Sequence, residues 1–164
     1  MKRICLFVII SAFILSFFSS CQKLEYSDSL SCQELGNQAK NLLGKQTLLE
    51  YAVYDDMHIK YNFDATELHD DSFIFYSTDV ENIDEVGIFH TESKERAAEI
   101  ASLAEKYIAD MQKNQRAFIE SYAPAETAKL DDARVYIMGN YVIYTILSPN
   151  GRNAVIDKME SLLR

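Results

Sequence analysis

The spacing of apolar positions shifts between three-and-four and two along this chain, and each shift marks an element. Ser31-Cys32-Gln33-Glu34 has the form of a capping box, serine at the cap and glutamate three residues later. Leu35, Ala39, Leu42 and Leu43 then recur at helical spacing, and Gly44 suits the stop. A weaker helical piece is expected from Leu48 to Tyr61. Ser72–Thr78 and Glu85–Thr91, rich in aromatic and β-branched residues, read as strands joined by the polar loop Asp79–Asp84. From Ser93 to Ser121 the period is helical again, with Ala97, Ile100, Ala104, Tyr107, Met111 and Phe118 on one stripe. Asn114 interrupts that stripe and Pro124 ends it. Arg134–Met138 and Tyr141–Leu147 flank Gly139-Asn140, a two-residue turn of the hairpin kind. A last helix carries Val155, Ile156, Met159, Leu162 and Leu163.

The resulting order is helix-helix-strand-strand-helix-strand-strand-helix. Strand pairs with short links are antiparallel, so the expected class is α+β: a four-stranded antiparallel sheet with a long central helix and flanking helices. A helix from Ser93 to Ser121 is about 43 Å long. Strands near 20 Å cannot cover it, so its far end projects, bends or packs elsewhere. The same overhang offers a second copy of the chain a homodimer contact.

The last hairpin is apolar on both faces. Val135, Ile137, Val142, Tyr144 and Ile146 share one; Arg134, Tyr136, Met138, Tyr141, Ile143 and Leu147 share the other. A sheet packed on one side alternates apolar with polar. Either the N-terminal helices cover the second face, giving three layers, or Arg134, Tyr136, Tyr141 and Ile143 form an exposed partner surface.

The N-terminus has a different pattern. Met1-Lys2-Arg3 precedes an apolar run from Ile4 to Phe18, then Ser19, Ser20 and Cys21. This is the layout of an export signal. Cysteine directly after the small pair makes Cys21 the expected lipid-attachment site of a bacterial lipoprotein. The apolar run spans about 22 Å, short of the ~30 Å hydrocarbon layer, which disfavours a permanent membrane span. The expected organisation is a signal peptide over 1–20, a lipidated tether over 21–30 and a single α+β domain over 31–164. Localisation follows: exported, and lipid-anchored on the outer face of the cytoplasmic membrane.

Composition narrows the partners. The chain has 16 basic and 25 acidic residues and a net charge of −9. Loss of the signal removes Lys2 and Arg3 and brings the net charge to −11. Such a surface repels nucleic acid and anionic headgroups, so membrane contact falls to the lipid on Cys21. With Cys5 cleaved off and Cys21 lipidated, Cys32 is the last thiol, which excludes an intrachain disulfide.

Candidate chemistry is thin. Asp64, Glu67, His69, Asp70 and Asp71 could bind a divalent ion, but their spacing matches neither a calcium loop nor a His-Glu-x-x-His zinc site. A solvated acidic loop is the simpler reading. Cys32 falls in the first turn of a helix, which lowers a thiol pKa, yet no spacing pairs it with His58, His69 or His90. No cofactor is implied, and no catalytic or metal-binding set stands out.

Tyr61-Asn62-Phe63-Asp64, Glu85-Val86-Gly87-Ile88-Phe89, the helix end Phe118-Ile119-Glu120-Ser121-Tyr122-Ala123-Pro124 and Gly139-Asn140-Tyr141-Val142 follow one another in a familiar order. In these motifs the chain resembles the bacterial lipoprotein family catalogued as domain of unknown function 4358, over about residues 48–163. The resemblance implies export, lipidation and one α+β domain, and brings no catalytic residues. The first motif departs from the family's Tyr-Gly-Ile-Asp at Asn62 and Phe63.

The expected function is a non-catalytic accessory or binding module that engages an envelope protein or glycan. The competing reading is an envelope hydrolase or transferase accessory to surface-polymer modification. The anchor is directly testable: labelled palmitate should enter the protein, and Cys21→Ala should abolish the label. Unchanged incorporation in the variant would remove the lipoprotein assignment.

Overall fold

The computed structural model describes residues 25–44, 49–51 and 72–164. Helix α1 (Cys32–Leu43) is followed by strands β1 (Leu49–Tyr51), β2 (Phe73–Ser77) and β3 (Glu85–His90). Helix α2 (Lys94–Asn114) continues into α3 (Arg116–Tyr122), and a single 3-10 turn leads to α4 (Thr127–Asp131). Strands β4 (Arg134–Met138) and β5 (Tyr141–Ile146) precede the last helix, α5 (Pro149–Leu163).

The strands form one antiparallel sheet in the order β1-β2-β3-β5-β4. The α+β class holds, and the four expected strands are all present. A fifth, β1, sits at the edge where the weaker helical piece was expected to begin. Its three residues pair with Phe75–Ser77 of β2. Sheet pairing outweighs a faint helical period there, since local propensity is a weak constraint beside tertiary contacts. The rest of the Leu48–Tyr61 piece lies outside the described residues.

Register defines two ends of the sheet. His90 pairs with Tyr141, and Met138 pairs with Tyr141 on its other side, so His90 and the Gly139-Asn140 turn share one end. Gly139 has φ +65°, the left-handed conformation such a turn requires. Glu85, Ile146 and Arg134 mark the opposite end, with the loop leading into β3.

Both sheet faces are covered. Helix α2 packs Ala97, Ile100 and Ala104 against Phe89, Val142 and Tyr144. Helices α1 and α5 pack Leu35, Val155 and Met159 against Phe75, Ile88 and Ile143 on the other face. The domain therefore has three layers, and Met138, Tyr141, Ile143 and Leu147 of the second hairpin face are core.

The long helical stretch bends rather than projects. At Gln115 the backbone (φ −109°, ψ −10°) departs from the helix while its N–H still donates to the Met111 carbonyl at 2.9 Å. The bend returns Ile119 to the core, where it is buried. It also leaves Phe118, expected on the apolar stripe, facing outwards.

The capping box forms as its sequence specifies. The Glu34 N–H donates to Ser31 Oγ at 3.1 Å, and the Ser31 N–H donates to Glu34 Oε2 at 3.0 Å. The backbone hydrogen bond from Ser31, and then that from its side chain, hold the Glu34 carboxyl below the ordinary carboxylate value. Ser31→Ala should cost about 1 kcal/mol in a neutral-pH urea melt. A carboxyl with a lowered folded-state pKa contributes stability above its unfolded value and loses it as the pH falls through the folded one. Glu34→Gln should flatten that part of the acid dependence. A Ser31→Ala protein as stable as wild type would mean that the box carries no load.

Candidate functional site

The four residues proposed for a partner surface do not form one. Tyr141 and Ile143 have 0% exposure beneath α1 and α5. Tyr136 is half-buried and packs beside them, and only Arg134 is exposed. The physical reason is the second helical layer: with α1 and α5 in place, Tyr141 and Ile143 have no access to solvent. Cys32 is buried in the same core.

A polar cluster that the sequence reading did not single out lies at the opposite face. Glu85 opens β3 and is buried, pointing toward α2. Tyr144, on the neighbouring strand, is the cross-strand partner of Gly87. A Cβ built on Gly87 would fall 2.0 Å from the Tyr144 ring. The missing side chain therefore makes the room in which the tyrosine lies, and its hydroxyl reaches Glu85 Oε1 two residues along. Tyr107 of α2 donates to Glu85 Oε2 at 3.2 Å, and its ring meets Tyr144 edge-on at 5.9 Å. Burial, then the Glu85 charge and hydrogen bond, push the Tyr107 phenol well above its ordinary value, so it stays a protonated donor. With both carboxylate oxygens engaged, Glu85 ties sheet to helix. The available signal was a charged residue on the Gly87-Phe89 face of an otherwise apolar strand.

Beside it, Lys129 of α4 bridges Asp84 Oδ1 at 2.7 Å and Glu126 Oε2 at 2.6 Å, with its side chain 18% exposed. Burial would lower the Lys129 pKa, but the hydrogen bonds and charges of Asp84 and Glu126 outweigh it and hold the ammonium above its ordinary value. Glu126 also accepts from the Ile83 N–H at 3.1 Å. The loop before β3 is thereby clamped to the α3–α4 segment.

At the hairpin end, residues 25–30 are docked on the domain rather than standing clear of it. The Ser27 N–H donates to the Leu163 carbonyl at 2.6 Å. Asp28 Oδ1 lies 2.6 Å from His90 Nε2, and Oδ2 accepts from Asn140 Nδ2 at 3.0 Å. The His90 ring stacks on Tyr141 at 4.5 Å, and the Tyr141 hydroxyl donates to the Leu30 carbonyl at 2.6 Å. A recess of about 230 Å³ bounded by Tyr26, Asp28, Lys94 and Asn140 remains there. It falls below the ~300–1,000 Å³ of small-molecule pockets.

An exposed aromatic pair lies at the other end. Phe118 and Tyr122, one helical turn apart on α3, are 61% and 66% exposed with ring centroids 4.5 Å apart. Arg116 bonds Asp131 and lies 3.6 Å from Glu120 on the same helix. Val80, in the loop before β3, is 86% exposed at this end too.

Among the described residues no group of three or more His, Cys, Asp or Glu side chains could hold a metal ion. The acidic stretch Asp64–Asp71, with Glu67 and His69, lies outside the described residues, as does Cys21. No helix among the described residues is long and apolar enough to cross a membrane. A protein-family model described as Domain of unknown function (DUF4358) matches residues 48–147, which include all five strands and α2 through α4 but not α1 or α5. No curated protein and no solved structure matches the chain.

The Gly87–Tyr144–Glu85 arrangement makes a paired prediction. Gly87→Ala should cost about 2–4 kcal/mol, combining overpacking with the loss of a donor to a buried carboxylate. Tyr144→Phe keeps the ring and should cost about 1–3 kcal/mol through the lost donor alone. Denaturant melts read both. A Gly87→Ala protein that melts with the wild type would show that the ring does not cross that position.

Proposed function

The chain belongs to the DUF4358 family, and from that premise we propose that it is an envelope lipoprotein acting as a non-catalytic binding module. Cys21 carries the lipid, and the domain works on the outer face of the cytoplasmic membrane. Its partner is an envelope protein or glycan met through the Phe118–Tyr122 pair.

The observation that supports binding is the exposure of these two rings. Each presents most of its surface to water, and the two rings already lie together on one helix. Aromatic side chains bring a large contact area at low conformational cost, which is why Tyr is enriched at interface hot spots. The segment carrying them is braced by the Lys129 clamp and the Arg116–Asp131 bond, so the pair is held in place before any partner arrives. The acidic surface selects against polyanionic partners.

A photoreactive group at exposed Ala117, the residue before Phe118, should form an adduct with an envelope component in cells. Phe118→Ser with Tyr122→Ser should remove the adduct while leaving stability within about 0.5 kcal/mol of wild type, as for surface positions. An adduct that survives the double substitution would move the binding face elsewhere.

A further inference from the structure

We infer that residues 25–30 are a latch that turns a lipid tether into a fixed mount, holding the hairpin end of the domain toward the bilayer. The inference rests on the Cys21 anchor proposed above and adds the orientation of the domain upon it.

A free tether over residues 21–30 would let the domain roam up to roughly 30 Å from its lipid. The contacts along this segment remove that freedom. They fall at Ser27, Asp28 and Leu30, in one continuous stretch, and reach α5, β3, the hairpin turn and β5. Tyr26 lies against the turn, within 3.0 Å of where a Gly139 Cβ would stand. Tyr26 and Leu30 also pack on the second core. Each link acts on a different element, so no single hinge lets the segment swing away.

Docking begins at Tyr26 and leaves Gln22 to Glu25 between it and Cys21. Five residue steps span at most about 18 Å. The hairpin end is therefore held near the lipid. The opposite end, with Val80, Phe118 and Tyr122, stands a strand length of ~20 Å further out. The same anchor would otherwise allow every face of the domain to meet the membrane.

Asp28 is the centre of the latch, since one carboxylate joins His90 of β3 to Asn140 of the turn. His90 cannot easily turn away, because its ring is stacked on Tyr141. Tyr141 serves twice, as the floor beneath His90 and as the donor to Leu30.

Hydrogen exchange on the full-length protein in lipid vesicles tests the latch through the Ser27 amide. That amide should be protected in wild type. It should exchange at least about tenfold faster in Asp28→Ala, the loss expected for charge-assisted hydrogen bonds. Tyr141→Phe, which keeps the ring, should accelerate it as well, with β5 amides unchanged. A dye on Val80→Cys, with acceptor lipids in the vesicle, tests the mount. Wild type should give one narrow distance and Asp28→Ala a broad distribution. An unprotected Ser27 amide in wild type overturns the latch. A protected Ser27 amide with an already broad distance overturns the mount. Failure of the protein to take up palmitate or stay with the vesicles overturns the anchor and the mount together, and Ser27 exchange still decides the latch separately.

Discussion

Tyr141 and Tyr144 are three residues apart on strand β5, between β3 and β4 in the sheet; they point to opposite faces, and both have 0% exposure. Each buries a large ring and one hydroxyl that must find an acceptor away from water. Much of the molecule is arranged around these two requirements. On one face the Tyr144 hydroxyl is met by Glu85, which needs Gly87 as the groove for the ring and Tyr107 as a second donor. On the other face the Tyr141 hydroxyl is met by the Leu30 carbonyl, which draws the segment before α1 onto the sheet. Burial of both rings also requires a helical layer on each side, supplied by α2 and by the α1–α5 pair.

What was legible in the sequence was local. The capping box at Ser31 and the Gly139-Asn140 turn depend on residues within four positions, and both form as written. The two apolar faces of the hairpin were legible too. Whether the second was covered was not, because that depends on helices more than a hundred residues apart in sequence. The length of the Ser93–Ser121 stretch required a bend or an overhang; Asn114 hinted at the place, but only the packing of Ile119 decides it. Phe118 falls on the apolar stripe only when a single helical period is carried across that bend.

The docked segment was illegible for a different reason. Glu25 to Leu30 is polar in composition, and composition is what distinguishes tether from domain. Its attachment comes from one carboxylate, one backbone N–H, one carbonyl and two side chains packed on the core, all meeting partners far along the chain. The burial of Glu85 is not legible in the sequence because a glutamate at a strand's first position ordinarily faces solvent. The clamp of Lys129 to Asp84 and Glu126 joins the loop before β3 to the 3-10 turn and α4, segments too short to carry a periodic signal.

The bond from the Ser27 N–H to the Leu163 carbonyl has a topological consequence. It brings the two ends of the described domain side by side, so a short linker could join them without disturbing the core. The chain could then be opened near Val80, in an exposed loop away from that junction. Such a rearranged protein would keep all five strands in their present neighbourhoods while beginning and ending at the other end of the sheet. Connectivity and architecture are separable in this domain.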